Sequence, residues 1–85
     1  MKEFSYTITD SAGIHARPAG MFVKAMQVFE SDISLTCNQK TVNCKKLFAL
    51  MGLGIKCGET ITITANGTDE DAAIEVAAEF LKSNL

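Results

Sequence analysis

In four separate stretches of this chain, apolar and polar residues alternate with the period of two expected of a strand buried on one face only. Phe4, Tyr6 and Ile8 alternate with Ser5, Thr7 and Thr9, and Ile33, Leu35 and Cys37 with Ser34 and Thr36. Val42 and Cys44 alternate with Thr41 and Asn43, and Ile61, Ile63 and Ala65 with Thr60, Thr62 and Thr64. Parallel strands covered on both faces would read as continuous apolar runs, so these four suit an antiparallel sheet with one wet face. Its other face needs a cover, and the intervening sequence supplies one.

Ala19, Phe22, Val23, Met26 and Phe29 recur at helical spacing, which predicts an amphipathic helix over about residues 16 to 29. A second helix closes the chain, with Ala73, Val76, Ala77, Phe80 and Leu81 as its buried stripe. Thr68 is its expected cap, Asp69, Glu70 and Asp71 place negative charge on its first turn, and Lys82 lies at the favourable opposite end. Lys46 to Leu53 reads as a short helix stopped by Gly52 and Gly54. Asn38-Gln39 falls where a hairpin turn is needed, at a small energetic cost because Gln39 accepts positive φ less readily than glycine. The order is βαββαβα, an α+β open-faced β-sandwich in which a four-stranded antiparallel sheet carries three helices on one face.

The chain has 85 residues, room for one domain over 1–85 and no separate cofactor module. Its net charge of −2 gives no global basic field, so nucleic acid is a poor default partner. The charge is uneven: residues 15–56 carry Arg17, Lys24, Lys40, Lys45, Lys46 and Lys56 against Glu30 and Asp32, whereas residues 57–85 carry six acids and only Lys82. The middle of the chain is therefore the side suited to an acidic partner or a phosphate. Cys37, Cys44 and Cys57 lack metal-ligand spacing and fit reduced thiols. The MKEFSYT start has no apolar core of a leader, and the longest apolar stretch, Leu47 to Ile55, is too short to span a bilayer. Cytoplasmic residence without membrane insertion is the expectation.

The only histidine, His15, stands in the run Gly13-Ile14-His15-Ala16-Arg17-Pro18. Proline is tolerated in a first helical turn but not deeper, so Pro18 confines the helix start to within a turn of His15. The backbone N–H groups of Ala16 and Arg17 then lack intrahelical acceptors and, with the positive end of the helix dipole, make an anion site. Arg17 adds a permanently charged fork suited to phosphate oxygens. An imidazole can accept a phosphoryl group and hand it on, because the phosphoramidate keeps a high transfer potential. A Gly-rich phosphate loop with its lysine is absent, as are a second histidine and a metal-ligand cluster, so neither ATP hydrolysis nor zinc chemistry is supported.

The stretch Gly13 to Ala19, the element order and a second segment, Lys45-Lys46-Leu47-Phe48-Ala49-Leu50-Met51-Gly52-Leu53-Gly54, together resemble the histidine-containing phosphocarrier (HPr) family. This family belongs to the bacterial phosphoenolpyruvate-dependent sugar phosphotransferase system, and the resemblance runs over essentially the whole chain. It implies that His15 accepts a phosphoryl group at Nδ1 from phospho-enzyme I and donates it to sugar-specific IIA domains. Arg17 would stabilise the phosphate and Pro18 would set the helix entry. The partners would dock on a face offering Ala16, Gly20, Met21, Lys24, Leu47, Phe48, Met51, Gly52 and Lys56. Such a carrier is a relay rather than an enzyme, needs no cofactor or metal, and is expected as a monomer.

Lys46 is a departure. Many relatives from low-GC Gram-positive bacteria carry a serine there that a regulatory kinase phosphorylates, and lysine cannot be so modified. Gly20 is a second departure, which weakens the first helix by roughly 0.5–1 kcal/mol relative to alanine. Lys46 keeps an alternative open, in which the chain is a regulatory adaptor whose partner senses the phosphorylation state of His15. Transfer onward to a sugar-specific acceptor distinguishes the two readings.

Overall fold

The computed structural model describes residues 1–85. Its elements are β1 (Lys2–Thr7), α1 (Ala16–Gln27), β2 (Asp32–Cys37), β3 (Lys40–Asn43), α2 (Leu47–Met51), β4 (Thr60–Asn66) and α3 (Glu70–Asn84). The four strands form one antiparallel sheet in the order β1-β4-β2-β3. Its register sets like beside like. Phe4 faces Ile63, Ile63 faces Leu35 and Leu35 faces Val42, an apolar row across all four strands. On the wet face the hydroxyls of Ser5 and Thr62, Thr7 and Thr60, and Thr36 and Thr41 pair at 2.9–3.1 Å.

The apolar face packs against the helices. Ile33, Leu35, Ile61, Ile63 and Ala65 are buried beneath Ala19, Phe22, Val23 and Met26 of α1 and Ala73, Ala77 and Leu81 of α3. Phe22 and Phe80 join the two long helices, with ring centroids 5.4 Å apart. Phe4 and Tyr6 are only half-buried because β1 is an edge strand, and Lys82 lies over the Phe4 ring at 5.6 Å. No helix is long and apolar enough to cross a membrane.

Several local expectations need adjusting. α1 ends at Gln27 rather than Phe29, although Phe29 still packs against the core. Val76 is partly exposed, since Ala73, Ala77 and Leu81 define the buried stripe and Val76 lies on its flank. Thr68 is not the cap of α3. That position falls to Asp69, whose carboxylate instead takes the N–H groups of Glu30 and Ser31 at 2.8 and 2.9 Å together with the Ser31 hydroxyl. The turn before α3 is thereby fastened to the turn after α1, and these donors, the Ser31 hydroxyl foremost, hold the Asp69 carboxyl below its ordinary pKa.

Asn38 and Gln39 both adopt positive φ, +52° and +68°, the conformation a two-residue primed turn demands. α2 is one turn shorter than expected, with Lys46 as its extended, uncapped N-cap. Gly54, at φ +61°, makes the break that follows, whereas Gly52 stays right-handed.

Candidate functional site

The loop from β1 to α1 is held at both ends before it delivers His15. The amides of Thr9 and Asp10 donate to the Leu85 oxygen at 2.7 and 2.8 Å, which ties the loop to the end of α3. Asp10 Oδ1 accepts the Ala12 N–H at 2.8 Å and the Asp10 carbonyl accepts the Gly13 N–H at 2.9 Å, closing a tight turn. Gly13 then takes φ +68° against Ile55, and a Cβ there would lie 2.3 Å from the Ile55 oxygen. That approach lets the Ile14 N–H reach the same oxygen at 3.0 Å.

His15 follows as the N-cap of α1, extended at φ −115° and ψ 173°, with no side-chain capping hydrogen bond. Its carbonyl accepts the Ala19 N–H at 3.0 Å, the first bond of the helix. Pro18 has no N–H, so the free donors of the first turn are those of Ala16 and Arg17, neither of which donates within the protein. Both residues are exposed, and Arg17 has no ion-pair partner. The imidazole is 44% exposed, with Nε2 3.6 Å from Asp10 Oδ2. Asp10, His15, Arg17, Pro18, Met21 and Asn84 line a recess of about 300 Å³.

The structure thus gathers His15, Arg17, Pro18 and Met21 in one place, with Ala16 at the same helix end. Met21 is half-exposed at the recess rather than core filling, and Lys24 is exposed and unpaired one turn further along α1. Gly20 is partly buried, with open space where a Cβ would stand. α2 packs against α1, burying Leu50 fully and Leu47 and Met51 in part, and it turns Phe48 out to 89% exposure. Gly52 is exposed. Lys56 is brought to the His15 loop by its backbone, which packs against Gly13. Met21 and Phe48 are the exposed large apolar side chains of these two helices.

Lys46 is exposed at the start of α2 and does not line the recess. Lys45 is not a free charge: its ammonium donates to the Phe29 carbonyl at 2.6 Å just beyond the C-terminus of α1, and Gln27 Nε2 donates to the Lys45 carbonyl at 3.1 Å. Sequence reasoning missed Asp10 and Asn84 as members of the site. An acid five residues before the only histidine was a usable signal for Asp10; Asn84 arrives from the far end of the chain and had none.

The family model described as "PTS HPr component phosphorylation site" matches residues 2–83. The chain is 44% identical over 81 residues to phosphocarrier protein HPr of Mycoplasma capricolum subsp. capricolum, covering 95% of this chain and 91% of that protein. Among solved structures it superposes on a histidine-containing phosphocarrier protein from a mycoplasma with a TM-score of 0.94 at 39% identity, covering 96% of this chain and 93% of the other. HPr of Thermoanaerobacter tengcongensis gives 0.93 at 36% identity, covering 98% and 93% respectively. With the one imidazole at a bare helix N-terminus beside an unpaired arginine, these likenesses make the chain a member of the HPr phosphocarrier family of the phosphotransferase system.

Proposed function

We propose that His15 accepts a phosphoryl group at Nδ1 from the phosphohistidine of enzyme I and passes it to sugar-specific IIA domains. The observation that carries this reading is the uncapped N-terminus of α1, where two free N–H groups and the unpaired Arg17 guanidinium stand beside the imidazole. Phosphoryl transfer needs positioning and charge stabilisation of the equatorial oxygens more than covalent help from the protein. The Ala16 and Arg17 amides and the guanidinium supply donors for those oxygens, while Pro18 fixes where the helix begins.

Met21, Leu47, Phe48 and Met51 form the apolar centre of the docking face in this reading, with Ala16, Gly20 and Gly52 allowing close approach. Lys24 and Lys56 provide the cationic rim. An exposed phenylalanine gains from burial only when a partner arrives, and flexible methionines let one face serve two partners in turn. The carrier acts as a single copy in the cytoplasm.

Intact mass after incubation with phosphoenolpyruvate, Mg²⁺ and purified enzyme I tests the reading. The expected result is a gain of one phosphoryl group that is lost in mild acid and absent from His15→Ala, followed by its transfer to a IIA domain. A folded protein that gains nothing overturns it, and one that gains the group but passes it to no IIA domain is an adaptor instead.

A further inference from the structure

Asp10 plays no part in the phosphate contacts just described, yet its carboxylate is the ion-pair partner of the imidazole. Oδ1 is occupied by the Ala12 N–H at 2.8 Å, so the turn fixes the carboxylate, and Oδ2 faces His15 Nε2 at 3.6 Å. The loop itself is held by the Leu85 oxygen, which takes the Thr9 and Asp10 amides. Nδ1 has no partner. The two ring nitrogens therefore differ: one looks at a fixed negative charge, and the other is open.

Resting on the phosphocarrier reading, we propose that Asp10 is a positioning residue for phosphoryl exchange at His15, holding the ring proton at Nε2 so that the Nδ1 lone pair takes the phosphoryl group. In the exchange, Nδ1 attacks the phosphorus of the donor phosphoramidate. The donor's P–N bond breaks with its electron pair returning to the donor nitrogen, and the Nε2 proton stays where it is. The His15 ring, neutral before, then carries a positive charge beside the Asp10 carboxylate. At 3.6 Å the contact is too long for a good hydrogen bond and well placed for an ion pair, so it gains most once the ring is charged. The other charged side chain lining the recess is Arg17, which acts on the phosphoryl oxygens and opposes the ring charge. A protonated ring is also the better leaving group when phosphate moves on, so the same carboxylate serves both directions.

The test compares the wild-type protein with Asp10→Asn, which keeps an oxygen for the Ala12 N–H. Both are loaded chemically with phosphoramidate, which needs no enzyme I, and ¹⁵N and ³¹P NMR report which ring nitrogen carries the proton in the unloaded protein and which carries the phosphoryl group in the loaded one. The expected result is a proton on Nε2 and phosphoryl on Nδ1 in the wild type. In Asp10→Asn the ratio of the Nε2-protonated to the Nδ1-protonated neutral ring falls, on the order of three- to tenfold because both groups are partly exposed. Thermal melting should be unchanged, and transfer from phospho-enzyme I should slow through kcat rather than KM. An unmoved ratio, or phosphoryl found on Nε2 of the wild type, overturns the proposal. If the ratio falls as expected while enzyme I transfers nothing, the relay reading fails and the Asp10 assignment stands.

Discussion

Gly13 is the position at which the fold and the site depend on the same missing atom. Alanine there would sit at φ +68° with its Cβ 2.3 Å from the Ile55 oxygen and 2.8 Å from the Lys56 Cα, and both neighbours are backbone that cannot swing aside. The left-handed conformation costs an alanine about 1–2 kcal/mol. Relieving the overlap means separating the two loops, which strains the 3.0 Å bond from the buried Ile14 N–H to Ile55 and adds about 1–3 kcal/mol. The stiffer unfolded chain returns about 0.4–1 kcal/mol. The net loss is about 1–5 kcal/mol, a large part of the roughly 4–13 kcal/mol typical of a domain this size, and lowers Tm by about 4–8 °C for each kcal/mol lost. Gly54 supplies the control, since it has nearly the same φ, +61°, with nothing within 4 Å of the would-be Cβ. Gly54→Ala should therefore lose only about 0–1.6 kcal/mol, the φ cost less the unfolded-state return. Urea and thermal unfolding of the two variants side by side measure the difference. Equal losses would refute the argument that close backbone approach, rather than φ alone, requires glycine before His15.

Gly20→Ala fills open space in the middle of α1 and should stabilise by about 0.5–1 kcal/mol, read as a Tm higher by several degrees. A thiol reagent should find one fast cysteine in the folded protein, Cys57, and three after denaturation. Cys44 is fully buried with its pKa pushed up to about 12, and Cys37 is buried with its pKa raised by desolvation first and the Glu59 charge second. Glu59, Asp69 and Glu70 are held below their ordinary pKa values, chiefly by the Lys56 N–H, the Ser31 hydroxyl and the Met1 amino group respectively. Their contribution is complete above about pH 4.5 and is lost as pH falls through the depressed folded values, so the urea midpoint should drop steeply below that pH and less steeply in Asp69→Asn. His15→Ser should raise Tm by a few degrees, because serine can cap α1 for up to about 1 kcal/mol where histidine makes no capping bond, and on the proposed reading it abolishes phosphoryl uptake.

Elements whose signal is local were legible in the sequence. The period of two located all four strands because one face of the sheet is wet, and Asn38-Gln39 located the hairpin because the chain reverses there in two residues. Pro18 fixed the start of α1 to within a turn, because proline is admitted only in a first helical turn. What escaped was set by partners distant in sequence. Thr68 looked like a cap because threonine caps helices, but Asp69 stands at that position and is engaged 38 residues away by Ser31. Lys45 counted among the cations of residues 15–56, and nothing local says that Phe29 ends beside it to accept its ammonium. Asp10 and Asn84 share a recess with His15 only because α3 brings the end of the chain back to the end of β1, and no periodicity encodes that return.

That return accounts for what is unusual about the first helix. An N-cap is ordinarily filled by a serine, threonine, aspartate or asparagine whose side chain satisfies the free N–H groups. Here the position holds a histidine that turns its ring to Asp10 and leaves the amides of Ala16 and Arg17 unfilled. The helix forgoes a cap that would stabilise it, and the loss is tolerable because the entry is fixed otherwise: by Pro18, by the Gly13–Ile55 approach and by the Leu85 oxygen on Thr9 and Asp10. An anion placed on the bare amides makes good the missing cap, so the charge that the imidazole would carry is also the group that completes the helix. On the proposed reading, binding energy for the phosphoryl group would come from contacts the unloaded protein cannot make, to be given up again each time the group is passed on.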